Sequence, residues 1–245
     1  MKSQYLHIHH RQTILVTGII GIVSAIMIGI TDMLLNANAT SGAEIFAVEA
    51  YELMANKTPQ QLMWGSLGGI FILILMAGYW HWYVGMATVH RWWSSLTLLL
   101  LLIGAIGGTL FHFYVGTQGL AYQTLFQITD SESYRRVEEL IQIYDRDYSQ
   151  PTFLMAMVGF GGGSVLFFIP TIRGKTAFPR WYAFSVPIIS WPLSMLITSQ
   201  FPAPIGGFVG VTWHWPTIIA FTISTIVLMR QSTETRRVLT GAINA

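Results

Sequence analysis

Six stretches of this chain are apolar for about 20 residues or more, the length a helix needs to cross about 30 Å of hydrocarbon at 1.5 Å per residue. They run over residues 13–35, 62–86, 92–115, 151–172, 181–199 and 206–229. No soluble fold of 245 residues has use for so many. Charge falls between the runs rather than within them: 10% of residues are charged and 53% hydrophobic, with a mean hydropathy of +0.53. Soluble domains carry roughly 25% charged residues. The pattern predicts an all-α polytopic membrane protein, one integral domain over 1–245, with six transmembrane helices and the lipid bilayer as its first partner. The net charge of +2 is too small for a nucleic-acid partner. With no cysteine, thiolate metal sites, disulfides and cysteine nucleophiles are excluded. The first run is too long for the apolar core of a signal peptide and reads as a retained helix.

Orientation follows from Lys and Arg in the flanks of the runs. Lys2, Arg11, Arg91, Arg173, Lys175, Arg180, Arg230, Arg236 and Arg237 share one side, while Lys57, Arg135, Arg136 and Arg146 share the other with most of the acids. Both termini are expected in the cytoplasm, in a cell (inner) membrane. Trp80, Trp82, Tyr83, Trp92, Trp93, Trp181 and Tyr182 fit an aromatic belt at the inner boundary, and Tyr114, Trp213 and Trp215 one toward the outer boundary. Two outer connections have helical signals. Ser41-Gly-Ala-Glu44 has capping-box spacing before Ile45, Val48, Tyr51 and Met54, and residues 131–148 place Val137, Leu140, Ile141 and Tyr144 on one stripe. Both are expected as short interfacial helices on the outer side, either as lids on the bundle or as an acidic docking surface for a protein partner.

Ionisable residues inside spans are costly and usually face inward, so each is a site candidate. Asp32 ends a stripe of Gly18, Gly21, Ala25 and Gly29, His112 follows Gly104 and Gly108, and His214 follows Gly207 and Gly210. Small residues at three- and four-residue spacing admit a neighbouring helix. Asp32 and His112 are expected about 5 Å from the outer ends of their helices and His214 about 12 Å inside its own. His81, flanked by Trp80, Trp82 and Tyr83 near the inner end, reads as an interfacial hydrogen-bonding residue.

Asp32, His112 and His214 admit several chemistries: a ligand-binding or proton-relay cluster, an open metal site, or, for the histidines, haem ligation, which their depths disfavour. A buried polar network that fixes helix register is the plainest reading. Gly159-Phe-Gly-Gly-Gly-Ser164 lacks the Lys-Ser/Thr of a phosphate loop and is expected to serve close helix packing. Pro187 and Pro192 are expected to kink the fifth helix, the freed carbonyls being met by packing against neighbouring helices in the plainer reading; the sharper one makes the helix a candidate cavity wall, with Ser190 and Ser194 among its hydroxyls. His7, His9 and His10 form a small cytoplasmic cluster.

Taken in order, Gly29-Ile-Thr-Asp32-Met-Leu-Leu35, Trp80-His-Trp-Tyr83, His112, Phe178-Pro-Arg-Trp181 and Pro202-Ala-Pro204-Ile-Gly206-Gly207 resemble a family of uncharacterised multi-pass bacterial membrane proteins. The resemblance spans most of the chain and implies no activity. Within the first helix alone, Gly-x-x-Asp-x-Leu-Leu is similar to an element of the lysoplasmalogenase-like membrane hydrolases, whose superfamily includes metal-dependent ceramidases with intramembrane Asp and His ligands. That similarity implies metal-dependent lipid hydrolysis with Asp32, His112 and His214 as ligands. The residues themselves favour binding or transport of a small molecule or ion, with a structural subunit of a membrane complex as the third possibility; no cofactor is specified.

Overall fold

The computed structural model describes residues 11–37, 41, 56–210 and 214–243, the last eleven by their backbone. The histidine cluster at 7–10, the helix expected over 45–54 and Trp213 lie outside the described residues. Among those described, the chain is all-α and contains no strand.

Helix α1 (Arg11–Asn36) is one continuous element. The second apolar run forms three short helices in series, α2 (Pro59–Ser66), α3 (Gly68–Ile74) and α4 (Met76–Gly85). A capping box starts the series: Thr58 accepts from the Gln61 amide while the Gln61 side chain accepts from the Thr58 amide, and Pro59 occupies the first turn. Helix α5 (Arg91–Leu125) is ten residues longer at its C-terminal end than the apolar run that predicts it. Helix α6 (Ser131–Tyr144) is N-capped by Asp130, whose carboxylate accepts from the Ser133 amide at 2.8 Å. It does not stop before the fourth run but passes through a π-helical turn, Asp145–Ser149, into α7 (Gln150–Ile172). Four continuous helical stretches, 11–36, 59–85, 91–125 and 131–172, are long and apolar enough to cross a membrane.

The last two runs depart from expectation. Residues 181–199 are not one kinked helix: a 3₁₀ turn, Arg180–Ser185, ends at the extended residue Val186, and α8 (Pro187–Thr198) starts afresh. The residue before a proline is driven out of the helical region, and the ring itself suits the first helical position. Pro187 therefore starts a helix, and only Pro192 lies inside one. The sixth run gives a five-residue helix, α9 (Ile205–Val209), and then α10 (Trp215–Ile243).

Helix α5 packs most extensively against α7, and α10 against α1. The first contact is close because both backbones lack side chains where they meet. A Cβ on Gly104 would lie 2.6 Å from the Phe160 nitrogen, and one on Gly159 would overlap the Gly104 backbone. The 159–164 glycine run thus serves helix packing, as expected. The core is continuous and aromatic: Trp82 stacks on Phe167 with ring centroids 4.0 Å apart, and Tyr182 stacks on Phe178 at 4.6 Å. Trp82, Tyr182 and Tyr114 are buried, so they do not belong to the belts in which the sequence places them, whereas Trp92, Trp181 and Trp215 are exposed. Trp82 turns inward because its indole N–H has a buried acceptor, the Tyr182 hydroxyl at 3.1 Å, which donates onward to the Ala220 carbonyl at 2.9 Å.

Candidate functional site

Asp32 sits four residues before the end of α1, His112 in the second half of α5, and His214 one residue before α10. The structure brings all three together. His112 Nε2 lies 3.0 Å from Asp32 Oδ1, and His214 Nε2 lies 3.8 Å from Asp32 Oδ2. An ionised carboxylate only accepts, so His112 donates from Nε2. Asp32 keeps about 14% of its side-chain surface exposed, and the two histidines slightly less.

His214 reaches this level because the helix it was expected to sit inside does not exist there. Helix α9 ends at Val209 and α10 starts at Trp215, and His214 supplies a carbonyl to the start of α10, accepting from Thr217 N at 2.9 Å. It therefore lies beside Asp32 rather than about 7 Å deeper, and the depth argument that separated the two histidines falls away. Among the described residues no group of three or more His, Asp or Glu side chains is arranged to hold a metal ion.

A cavity of about 140 Å³ adjoins the three residues. Apart from Asn36 its remaining walls are apolar and come from α1, α3, α5, α7 and α8, with Ile72, Phe111, Phe153, Phe160 and Trp191 among them. The fifth run supplies a wall, the sharper of the two readings of its prolines, but through Trp191 rather than through its serines. Ser190 Oγ is turned to the Ser185 carbonyl at 3.2 Å, and neither Ser190 nor Ser194 lines the cavity. The Trp191 ring meets His214 edge to face at 5.3 Å and Phe160 at 5.4 Å, while its N–H donates to Thr217 Oγ1 at 3.2 Å.

Two site residues were missed from sequence. Trp191 is one, and its signal was its position beside Pro192 in a helix already marked as a candidate wall. Gly68 is the other: a Cβ there would overlap Thr31 Oγ1 and the His112 ring, so only glycine lets that ring lie between α1 and α3. Its signal was the Gly65, Gly68, Gly69 spacing in the second run.

The hydrogen-bond inventory around the cavity is incomplete. His112 Nδ1 and His214 Nδ1 are buried and have no partner among the described residues. Buried polar atoms are nearly always paired, and an exception requires an ion, a water or a ligand to account for it.

His81 presents the opposite case. It is fully buried, not interfacial, about 22 Å from Asp32 along α1 as judged from Thr17. Its Nε2 lies 2.9 Å from the Ile14 carbonyl and 3.0 Å from Thr17 Oγ1, and its Nδ1 lies 3.0 Å from Ser224 Oγ. A carbonyl accepts only, so the proton sits on Nε2 and Ser224 donates to Nδ1. Every polar atom of the ring is used, and the residue ties α4 to α1 and α10.

Beyond the Asp32 end, Lys57 donates from Nζ to the Ala37 carbonyl at the C-terminus of α1, where the helix dipole favours a cation, and its burial lowers its pKa. Gln123 Nε2 in turn donates to the Lys57 carbonyl. On α6, Arg135 pairs with Glu139 at 2.7 Å and Arg136 with Glu132, so much of the acidic charge there is compensated on the helix itself. No curated protein and no solved structure matches the chain. One family does: its model covers residues 1–231, so this chain belongs to a family of unknown function, DUF6796.

Proposed function

We propose that this chain is an inner-membrane protein of six spans, with both termini cytoplasmic, that binds or transports a small molecule or ion in the outer half of its bundle. Four helical stretches of crossing length support the membrane reading. The Lys and Arg distribution supports the orientation, and the 3₁₀ turn together with α8, then α10, are read as the fifth and sixth crossings. In this reading α6 lies on the outer side. Asp32 provides the charge, His112 the titrating partner that holds it, and His214 a second contact.

The observation that carries the reading is a carboxylate held between two imidazoles at the edge of a largely apolar cavity, with a nitrogen on each ring that has no partner among the described residues. A network serving only helix register would close on itself, since an unpaired buried polar group costs about 1–3 kcal/mol. In a closing bilayer site that deficit is made up by whatever enters.

The test is a thermal-shift screen of the detergent-purified full chain against small organic cations, anions, neutral solutes, Na⁺ and K⁺ between pH 5 and 8. At least one class is expected to raise the melting temperature of the wild-type chain and to lose that effect in both Asp32→Asn and His112→Ala. A ligand whose effect survives both substitutions places binding elsewhere and overturns the assignment.

A further inference from the structure

Within the cavity at Asp32, charge and wall chemistry are unequally distributed. Asp32 is the one acidic residue among the described residues of the lining, which include no Lys or Arg. With both imidazoles neutral, a ligand carrying a negative charge would meet the carboxylate unbalanced, in surroundings that screen poorly. For a metal ion the arrangement is wrong: among the described residues no three His, Asp or Glu side chains are grouped to hold one.

The wall is also unusually aromatic. Phe111 and Phe153 are in ring contact at 5.1 Å, Phe160 and Trp191 at 5.4 Å, and Trp191 and His214 at 5.3 Å. All five residues line the same space as Asp32. Aromatic rings attract cations through their quadrupoles, and Trp does so best. Such attraction grows as water is excluded, and alkylated ammonium ions, being weakly hydrated and apolar outside, exploit it most.

Size sets the remaining limit. A cavity of about 140 Å³ is close to the engineered apolar cavities of about 150 Å³ that hold one benzene. It admits a head of a few heavy atoms and excludes a nucleotide or a sugar.

We propose that this cavity takes a small alkylated ammonium ion, a protonated tertiary amine or a quaternary ammonium, its charge set against Asp32 and its alkyl groups against Phe160, Trp191 and their neighbours. The inference rests on the reading of this cavity as a binding site and adds the class of its ligand. The same head group could arrive free in solution or on a lipid. Space for a few heavy atoms is enough for the head in both cases, and the experiment separates them.

The probes are tetramethylammonium, neutral tert-butanol and anionic pivalate, titrated calorimetrically into the full chain in detergent, with dodecyltrimethylammonium as the chain-bearing form. Tetramethylammonium is expected to bind at least about tenfold more tightly than either of the other small probes, to weaken about tenfold or more in Asp32→Asn, and to weaken severalfold in Trp191→Leu. Asp32→Glu, which keeps the charge, controls for misfolding and should retain part of the preference. Tighter binding of the chain-bearing form that competes with tetramethylammonium assigns the lipid source, and equal binding assigns the free one. If tert-butanol or pivalate binds as well as tetramethylammonium and Asp32→Asn abolishes that binding, the ammonium class is overturned while the site stands. If no probe binds the wild-type chain, and the wider thermal-shift screen likewise finds no effect that Asp32→Asn removes, the reading of the cavity as a site fails with it.

Discussion

Two histidines of this protein, His81 and His112, are both buried, both contact α1 and both sit beside a glycine-lined approach, yet they have opposite hydrogen-bond inventories. His81 spends each ring nitrogen on a fixed partner from the chain, Ile14 and Thr17 on one side and Ser224 on the other. His112 spends one on Asp32 and leaves the other, beside a cavity, without a partner among the described residues. A saturated imidazole is part of the architecture and cannot engage a newcomer without breaking a bond that the fold has made. An unsaturated one next to a carboxylate and a void has capacity in reserve. Burial and residue type do not distinguish the two; the count of unused donors and acceptors does.

Substitutions should separate the two clusters, and the largest effect should come from the saturated one. His81→Ala removes packing and the hydrogen bonds that tie α4 to α1 and α10. It is expected to cost about 3 kcal/mol in equilibrium unfolding from mixed micelles, while ligand-induced thermal shifts at Asp32 persist in the fraction that folds. A His81→Ala chain as stable as the wild type would break the comparison.

Gly68→Ala comes next. Its new methyl group must displace the His112 ring or Thr31, at an expected cost of about 2 kcal/mol with concurrent loss of binding. Binding unchanged in this variant would show that the His112–Asp32 contact is dispensable. Asp32→Asn should cost less than about 1 kcal/mol, because the amide still accepts from His112, yet remove ligand response entirely. It is the inverse of His81→Ala and the sharpest form of the contrast.

The smallest effect lies outside both clusters. The Ser133 hydrogen bonds to the Asp130 carboxylate at the start of α6 lower its pKa. The unfolded chain then binds the proton more readily, so the stabilisation is complete above the ordinary aspartate pKa and fades as pH falls through the lowered one. Asp130→Asn should remove that acid-side dependence from the unfolding of α6, followed by hydrogen exchange, and leave both histidine clusters untouched.

The four longest crossings were legible in the sequence because hydrophobic length is a property of the segment alone. Asp32 and His112 were legible for the same reason, since an ionisable residue at the end of a small-residue stripe is a local signal. What escaped depended on breaks and on facing. His214 was assigned a depth by counting from the start of an apolar run, and counting fails when one helix ends at Val209 and the next starts at Trp215. His81 was judged by its neighbours Trp80, Trp82 and Tyr83, which look like a boundary belt in one dimension. Gly78 and Gly85, three residues before and four after it, lie on its own face and mark that face as the packed one. Trp191 and Gly68 act through space on histidines far away in sequence, and no periodicity within their own helices points to that role.

The π-helical turn at Asp145–Ser149 makes 131–172 a single mechanical member. Forty-two residues at 1.5 Å each reach about 63 Å, well beyond the hydrocarbon thickness of a bilayer. The amphipathic arm and the span that carries Ala156 and Phe160 into the cavity wall are therefore joined as a lever, and Tyr144, stacked on Tyr114 with ring centroids 5.9 Å apart, marks where the lever bears on its neighbour. The cavity wall begins at Phe153, about 14 Å farther along the same rod. A bulky tag, an antibody fragment or a pulling handle attached to the arm is a handle on the cavity, and the protein can be interrogated from its accessible end without touching the residues that line its interior.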